Sequence, residues 1–196
     1  MEKAVTERMD SFYHHYPAVA TIVTSHAGGR DNAMAVAWHC ALSRQPPVYM
    51  VAISPKRFSH GLIVESGEFA VNFIPYASAK LVALVGGCSG RDVDKLKAFG
   101  LACVPSHKVK APVLEAAYAA YECRVVGRHA TGDHDAFFGE IVAVHHRPAA
   151  YGSGRVMDLE QMQPILYLGD DLYTVVSTEA PVCLERQSLV RGALGR

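Results

Sequence analysis

The chain has 196 residues, 19 basic against 19 acidic side chains, and half of its residues are hydrophobic. That length is enough to bury one core, and a single domain spanning 1–196 is expected, or one domain with an appended hairpin or helix. Charged residues make up only 19%, against about 25% in typical soluble domains, so a second subunit, a ligand or both should cover apolar surface. The balanced charge excludes a phosphate-tracking surface, and with it nucleic acid as a partner.

In chain order, seven stretches read as strands: Ala18–Ser25, Ala33–Leu42, Val48–Ser54, Glu68–Ile74, Tyr118–Val126, Phe137–His145 and Leu172–Ser177. They are rich in Val, Ile, Tyr and Phe and are bounded by Gly, Pro, Asn or Asp. The turn from His26 to Asn32, with Gly28-Gly29 at its centre, joins the first two as an antiparallel hairpin. Three short helices intervene. One opens at Phe58 and stops at Gly67, a second covers Ala77–Val85 ahead of Gly86-Gly87, and a third starts at Ser89–Asp92 and closes at Gly100. Strands and helices do not alternate regularly, which predicts a mainly β, antiparallel barrel with helical insertions.

The sequence of residues 1–17 holds no apolar segment of the signal-peptide kind. No run approaches the roughly 18 apolar residues of a membrane span. Cys40, Cys88, Cys103, Cys123 and Cys183 are odd in number and form no C-x-x-C. They are expected to be buried small hydrophobes in a reducing cytoplasm. The adjacent pairs His14-His15 and His145-His146 would point to opposite faces of a strand, so no metal site is expected.

Three segments carry chemistry. The small residues from Asn32 to Ser43, interrupted by the sole Trp, leave backbone that a flat ring can approach closely; equally, they suit packing against a neighbouring sheet. The segment Ser54-Pro-Lys-Arg-Phe-Ser-His60 turns the chain into a helix. The free N–H groups of such an N-terminus, with Arg57 and Ser59 beside them, suit a phosphate, although an ordinary cap has the same form. The turn Thr131-Gly-Asp-His134 presents a histidine that can hydrogen-bond a redox ligand or exchange protons near neutrality, or simply close a hairpin.

Together with Glu68-Phe-Ala-Val-Asn72 and Ser89-Gly-Arg-Asp-Val-Asp-Lys95, these segments resemble, in the same chain order, the flavin reductase-like family of FMN-binding split-barrel proteins that includes flavoredoxin. The resemblance runs from about Tyr16 to Thr178. It implies a six-stranded antiparallel split β-barrel that works as a homodimer, with FMN near the subunit interface. It nominates Asn32, Met34, Ala37, Trp38, His39 and Cys40 along the flavin ring, several of them through backbone atoms. Ser54, Pro55, Arg57, Phe58, Ser59 and His60 would hold the phosphate and ribityl chain, with Ser89 and Lys95 approaching the cofactor and Asn72 at a strand end below it. His134 would sit beside the nicotinamide or acceptor. Many relatives carry a hydroxyl where this chain has Ala35 or Ala37, so backbone groups would serve the polar edge of the ring here.

The implied activity is hydride transfer from NADH or NADPH to flavin, and onward to a second flavin, an oxygenase or another small acceptor. An electron carrier of the flavoredoxin sort, reduced by a redox partner protein, is the nearest alternative. A non-catalytic split-barrel binding module is the next.

Overall fold

The β-branched and aromatic runs pair as antiparallel strands throughout. A computed structural model describes residues 3–9, 11–152 and 156–179. Its elements are β1 (Ala18–Val19), β2 (Thr21–Ala27), β3 (Arg30–Val36), β4 (His39–Arg44), β5 (Pro47–Ile53), α1 (Phe58–Ser66), β6 (Glu68–Phe73), α2 (Ala79–Gly86), α3 (Lys95–Ala98), β7 (Cys103–Val104), β8 (Val113–Leu114), β9 (Ala119–Ala130), β10 (Asp135–His146), β11 (Ile165–Gly169) and β12 (Leu172–Val175). The main sheet has the order β3-β2-β6-β9-β10-β5-β4; β1-β11-β12 and β7-β8 form smaller sheets. The mainly β, antiparallel architecture with helical insertions is as the sequence predicts.

The main difference lies at Ala33–Leu42. The chain leaves the sheet after Val36 and re-enters at His39, so one expected strand is two, at opposite edges of the sheet. The sheet therefore counts seven strands rather than six. At the break the Trp38 carbonyl accepts from Ala52 N at 2.9 Å, and the indole leaves the sheet for other aromatic rings. Neither Gly nor Pro marks this point, so alternation alone did not reveal it.

The β2–β3 hairpin turns through Gly28 and Gly29 at φ +56° and +74°. Positive φ at both central positions matches the right-handed twist of the flanking strands and strongly favours glycine. α1 ends at Gly67, in the left-handed region as expected. α2 begins two residues later than predicted, after a 3-10 turn at Tyr76–Ser78. α3 does not start at Ser89: Asp94 caps it by accepting from Lys97 N, while Asp92 N and Val93 N bond to the Ser89 carbonyl in a separate turn. β11 carried too few β-branched residues to be foreseen.

Two apolar clusters hold these parts. Ile53, Ile63, Phe69, Val71 and Phe137 pack α1 against the sheet; Ile22, Ile74, Val82, Val85 and Ile165 pack α2 against its β2–β3 side. Each buried Ile or Phe contributes about 1.5–3 kcal/mol relative to exposure. The cysteines only partly follow expectation. Cys123 is buried, Cys40 and Cys103 are exposed, and Cys88 is intermediate; Cys183 lies outside the described residues. No helix among the described residues is long and apolar enough to cross a membrane.

Candidate functional site

A cavity of about 410 Å³ opens between β3, the first turn of α1 and the segment after α2, lined among others by Asn32, Met34, Arg57, Phe58, Ser59, Ser89, Gly90 and Lys95. That size is within the range of small-molecule sites. Sequence puts each wall in place. β3 offers small side chains, the Ser54–Arg57 turn aims the start of α1 inward, and the Gly-rich stretch from Gly86 to Gly90 lets backbone come close.

Asn32 is the centre of this wall. It is 2% exposed, and its Nδ2 donates to Ser59 Oγ at 2.7 Å. Its Oδ1 is buried without a hydrogen-bond partner among the described residues, as is Ser25 Oγ, and the two residues are directly opposite on β2 and β3. A buried acceptor left unpaired costs roughly 1–3 kcal/mol, so its position beside a cavity points to a donor on a ligand. Gly90 makes this arrangement possible: a Cβ there would come within 2.1 Å of Asn32 Oδ1 and 2.8 Å of the Phe58 ring.

The cavity favours anions. α1 has no side-chain cap and no acidic residue in its first turn; His60 N donates to the Arg57 carbonyl at 3.1 Å, but no side chain of the turn neutralises the positive end of the dipole. Lys95 is 3% exposed, and its Nζ donates to the Val85 carbonyl at 2.6 Å. Burial pushes its ammonium below the ordinary lysine value and Arg57 adds to this, while Cys88 acts in the opposite direction. An anion in the cavity would favour its charged form.

Arg30 was not foreseen. Its Nη2 donates to the Gly90 carbonyl at 2.7 Å and its guanidinium lies 4.7 Å from the Phe58 ring centroid, tying the glycine segment to α1. Arg91 adds a bond from Nη1 to the Lys56 carbonyl at 2.9 Å. Gly90 and Arg91 were legible within the Ser-Gly-Arg-Asp segment. Arg30 looked like a turn residue, and nothing in the sequence marked its reach.

The other expected site residues separate into groups. Ala37 borders a smaller cavity of about 220 Å³ that shares Ala35, Gly86 and Gly87 with the main one and adds Tyr167 and Tyr173. Trp38 donates from Nε1 to Tyr16 Oη at 3.1 Å, with its ring 4.7 Å from that of His134 and 5.2 Å from that of Phe12. His134 also contacts Asp133 at 2.9 Å through Nδ1. His60 meets Asp135 rather than the cavity, at 2.8 Å. Ser54 supplies the carbonyl that accepts from Arg57 N, and Pro55 is exposed in that turn.

Three residues lie away from the cavity. His39 uses both ring nitrogens on the protein, with Tyr49 Oη at 2.7 Å and the Val19 carbonyl at 2.9 Å, and burial lowers its pKa. Cys40 is exposed on β4 opposite Met50. Asn72 is fully buried and satisfied within the chain: Nδ2 donates to the Ile22 carbonyl and Thr24 Oγ1, and Oδ1 accepts from Leu114 N at 2.8 Å. Among the described residues no three His, Cys, Asp or Glu gather as a metal site.

Fold and site together define a split-barrel protein with a small-molecule cavity that favours an anionic group. The family model of the flavin reductase like domain matches residues 13–175, and the chain belongs to that family. An FMN-binding protein from Thermus thermophilus, solved with 1-cyclohex-2-enone bound, superposes with a TM-score of 0.80 at 34% identity, covering 93% of this chain and 99% of that one. Flavoredoxin from Methanosarcina acetivorans gives a TM-score of 0.84 at 25% identity, covering 96% and 100%. The FMN reductase (NADH) RutF of Methylorubrum extorquens is 32% identical over 127 residues, covering 65% of this chain and 60% of that protein. Among further relatives, the chain spans 58% of one from Aeropyrum pernix at 35% identity.

Proposed function

We propose that this chain is an FMN-dependent oxidoreductase of the flavin reductase type, with NADH or NADPH as hydride source. The observation that carries the reading is the buried, unpartnered Oδ1 of Asn32, beside a cavity walled by an uncapped helix N-terminus and a buried lysine. These residues fit the group. Arg57, Ser59, Lys95 and the first N–H groups of α1 would hold the phosphate, and Asn32 would accept from a hydroxyl or ring N–H of the same ligand. Bound there, FMN supplies the hydride-accepting centre and the means of passing electrons to a second flavin, an oxygenase or another small acceptor. His134, on the Trp38 ring, would orient the nicotinamide or carry a proton. The similarity to RutF, an FMN reductase (NADH), supports the nicotinamide part.

A second copy of the chain is part of this proposal. Cys40, Met50 and Phe138 stand side by side across β4, β5 and β10, all at least partly exposed. That row suits an interface, and covering it would fit the low charge content. The cytoplasmic setting expected from the cysteine pattern belongs to the same proposal.

Purified protein, reconstituted with FMN where needed, should absorb near about 370 and 450 nm, as oxidised flavins do. Stopped-flow mixing with NADH or NADPH should bleach that colour rapidly. Protein that stays colourless after reconstitution would end the flavin reading. The fold similarity to flavoredoxin supports a second reading, an electron carrier with a protein donor; coloured protein that neither nucleotide bleaches would favour it. His134→Ala should retain FMN and slow the bleaching, and an unchanged rate at saturating nucleotide across neutral pH would remove that role.

A further inference from the structure

The turn carrying His134 and the helix lining the main cavity are joined by a side-chain contact. His60 directly follows Ser59 in α1, and Asp135 directly follows His134. His60 Nε2 and Asp135 Oδ2 are 2.8 Å apart, with both side chains only 12% exposed. Arg128 Nε lies 3.7 Å from the same oxygen, and the His60 ring stands edge-on to Phe137 at 5.1 Å. On the other side of the contact, the His134 carbonyl accepts from Thr131 N at 2.9 Å and Thr131 Oγ1 at 2.8 Å, which closes the turn.

Asp135 is therefore held both through its backbone and through its carboxylate. Its backbone is the ladder partner of Ile53, the residue before Ser54, and of Ala130, so the sheet fixes it between β5 and β9. Its carboxylate fixes it against the first turn of α1. Only the second link can be cut without disturbing the sheet. Apolar packing at this point would be non-directional, whereas a short polar contact sets a distance between the two parts.

We propose that His60 and Asp135 are positioning residues: their contact joins the His134 turn to the first turn of α1, so that an anion seated at that helix sets how His134 lies on Trp38. The inference rests on the reading that this helix start receives the phosphate of the cofactor. Neither residue touches the reacting atoms. Their effect passes through Ser59 on one side and His134 on the other.

Trp38 is the only tryptophan in the chain and its ring lies against His134, so its fluorescence reports on the turn directly. Inorganic phosphate is the probe, because it contributes no emission of its own. In wild-type protein freed of FMN, phosphate should change Trp38 emission saturably, with the same half-point at which it competes with FMN. In Asp135→Ala and His60→Ala, phosphate should still compete with FMN while most of the emission response is lost. Asp135→Asn and His60→Gln, which keep hydrogen-bonding groups, should restore part of it and serve where an alanine variant does not fold. A merely structural role would lower thermal stability and leave the response intact.

A full response in both alanine variants overturns the proposal. So does wild-type protein in which phosphate displaces FMN without altering Trp38 emission. Failure of phosphate to compete in wild type removes the anion-site premise and the proposal with it; the colour of the reconstituted protein then shows separately whether the flavin reading stands.

Discussion

Two buried polar centres lie on different parts of this barrel, and they are built in opposite ways. Glu122 of β9 is fully buried, and the chain uses both of its oxygens. It accepts from His107 N at 2.7 Å, Lys108 N at 2.5 Å and Val109 N at 3.0 Å, and pairs with His145 at 2.5 Å. Asn32 of β3 is almost equally buried, yet beside a cavity its Oδ1 has no hydrogen-bond partner among the described residues. The Glu122 centre is complete and pins the 107–109 loop to the sheet. The Asn32 centre keeps an open acceptor, which in the proposed function a ligand would complete. Burial of a polar group alone does not separate structure from function; what separates them here is where the last hydrogen bond goes.

The sharpest way to break this contrast is Glu122→Ala, which strands three backbone N–H groups and His145. It should destabilise the fold by about 3–5 kcal/mol in urea titration, with FMN affinity of the folded fraction unchanged. Acid should act on the same group. Burial by itself would raise the Glu122 pKa, but the bonds from His145 and the three N–H groups outweigh it and hold the carboxyl below its ordinary value. Its stabilisation is then complete above the unfolded value of about 4.3 and fades as pH falls through the lower folded one. Glu122→Gln should flatten that part of the stability–pH curve; an unchanged slope would show that other carboxylates dominate.

The cavity should respond in the reverse manner. Gly90→Val would drive a side chain into Asn32 and Phe58 and weaken FMN binding at least about tenfold, or 1.4 kcal/mol, in a flavin fluorescence titration. Asn32→Ala should weaken it by about 1 kcal/mol while shifting stability by less than it shifts binding, because an unsatisfied acceptor leaves with the side chain. Equal binding and stability losses would make Asn32 merely structural. Arg57→Ala should reduce FMN affinity by about 0.3–1 kcal/mol and riboflavin affinity hardly at all, the difference isolating the phosphate. The smallest effect belongs to His26→Ala at the partly exposed His26–Asp31 pair, which should cost no more than about 0.5 kcal/mol and leave binding alone.

The sequence made the walls of the cavity legible because each is local. Small residues on β3, the Ser-Pro-x-Arg-x-Ser turn and the Ser-Gly-Arg-Asp segment are all readable over a few positions. Asn72 shows the limit: an amide on a strand looks the same in sequence whether it faces a ligand or, as here, Leu114 N. His39 likewise turned to Tyr49 and Val19, partners 10 and 20 residues away. The three-sided arrangement of Arg30, Gly90 and Phe58 depends on contacts across about 60 residues, which no local pattern encodes. The break at Ala37-Trp38 was hidden for a different reason, since its cause is the closure of the sheet rather than any turn-forming residue.

That break has a mechanical consequence. β3 and β4 are the outermost strands of the main sheet, yet only Ala37 and Trp38 separate them along the chain. A link that short spans no more than about 10 Å between the strand ends even when fully stretched, so the two rims are tethered covalently near this point whether or not hydrogen bonds join them. It acts as a drawstring. Lengthening it by a few glycines would let the rims drift apart with every strand still formed, and the cavity wall on β3 would then lose its fixed relation to the Trp38–His134 side of the barrel.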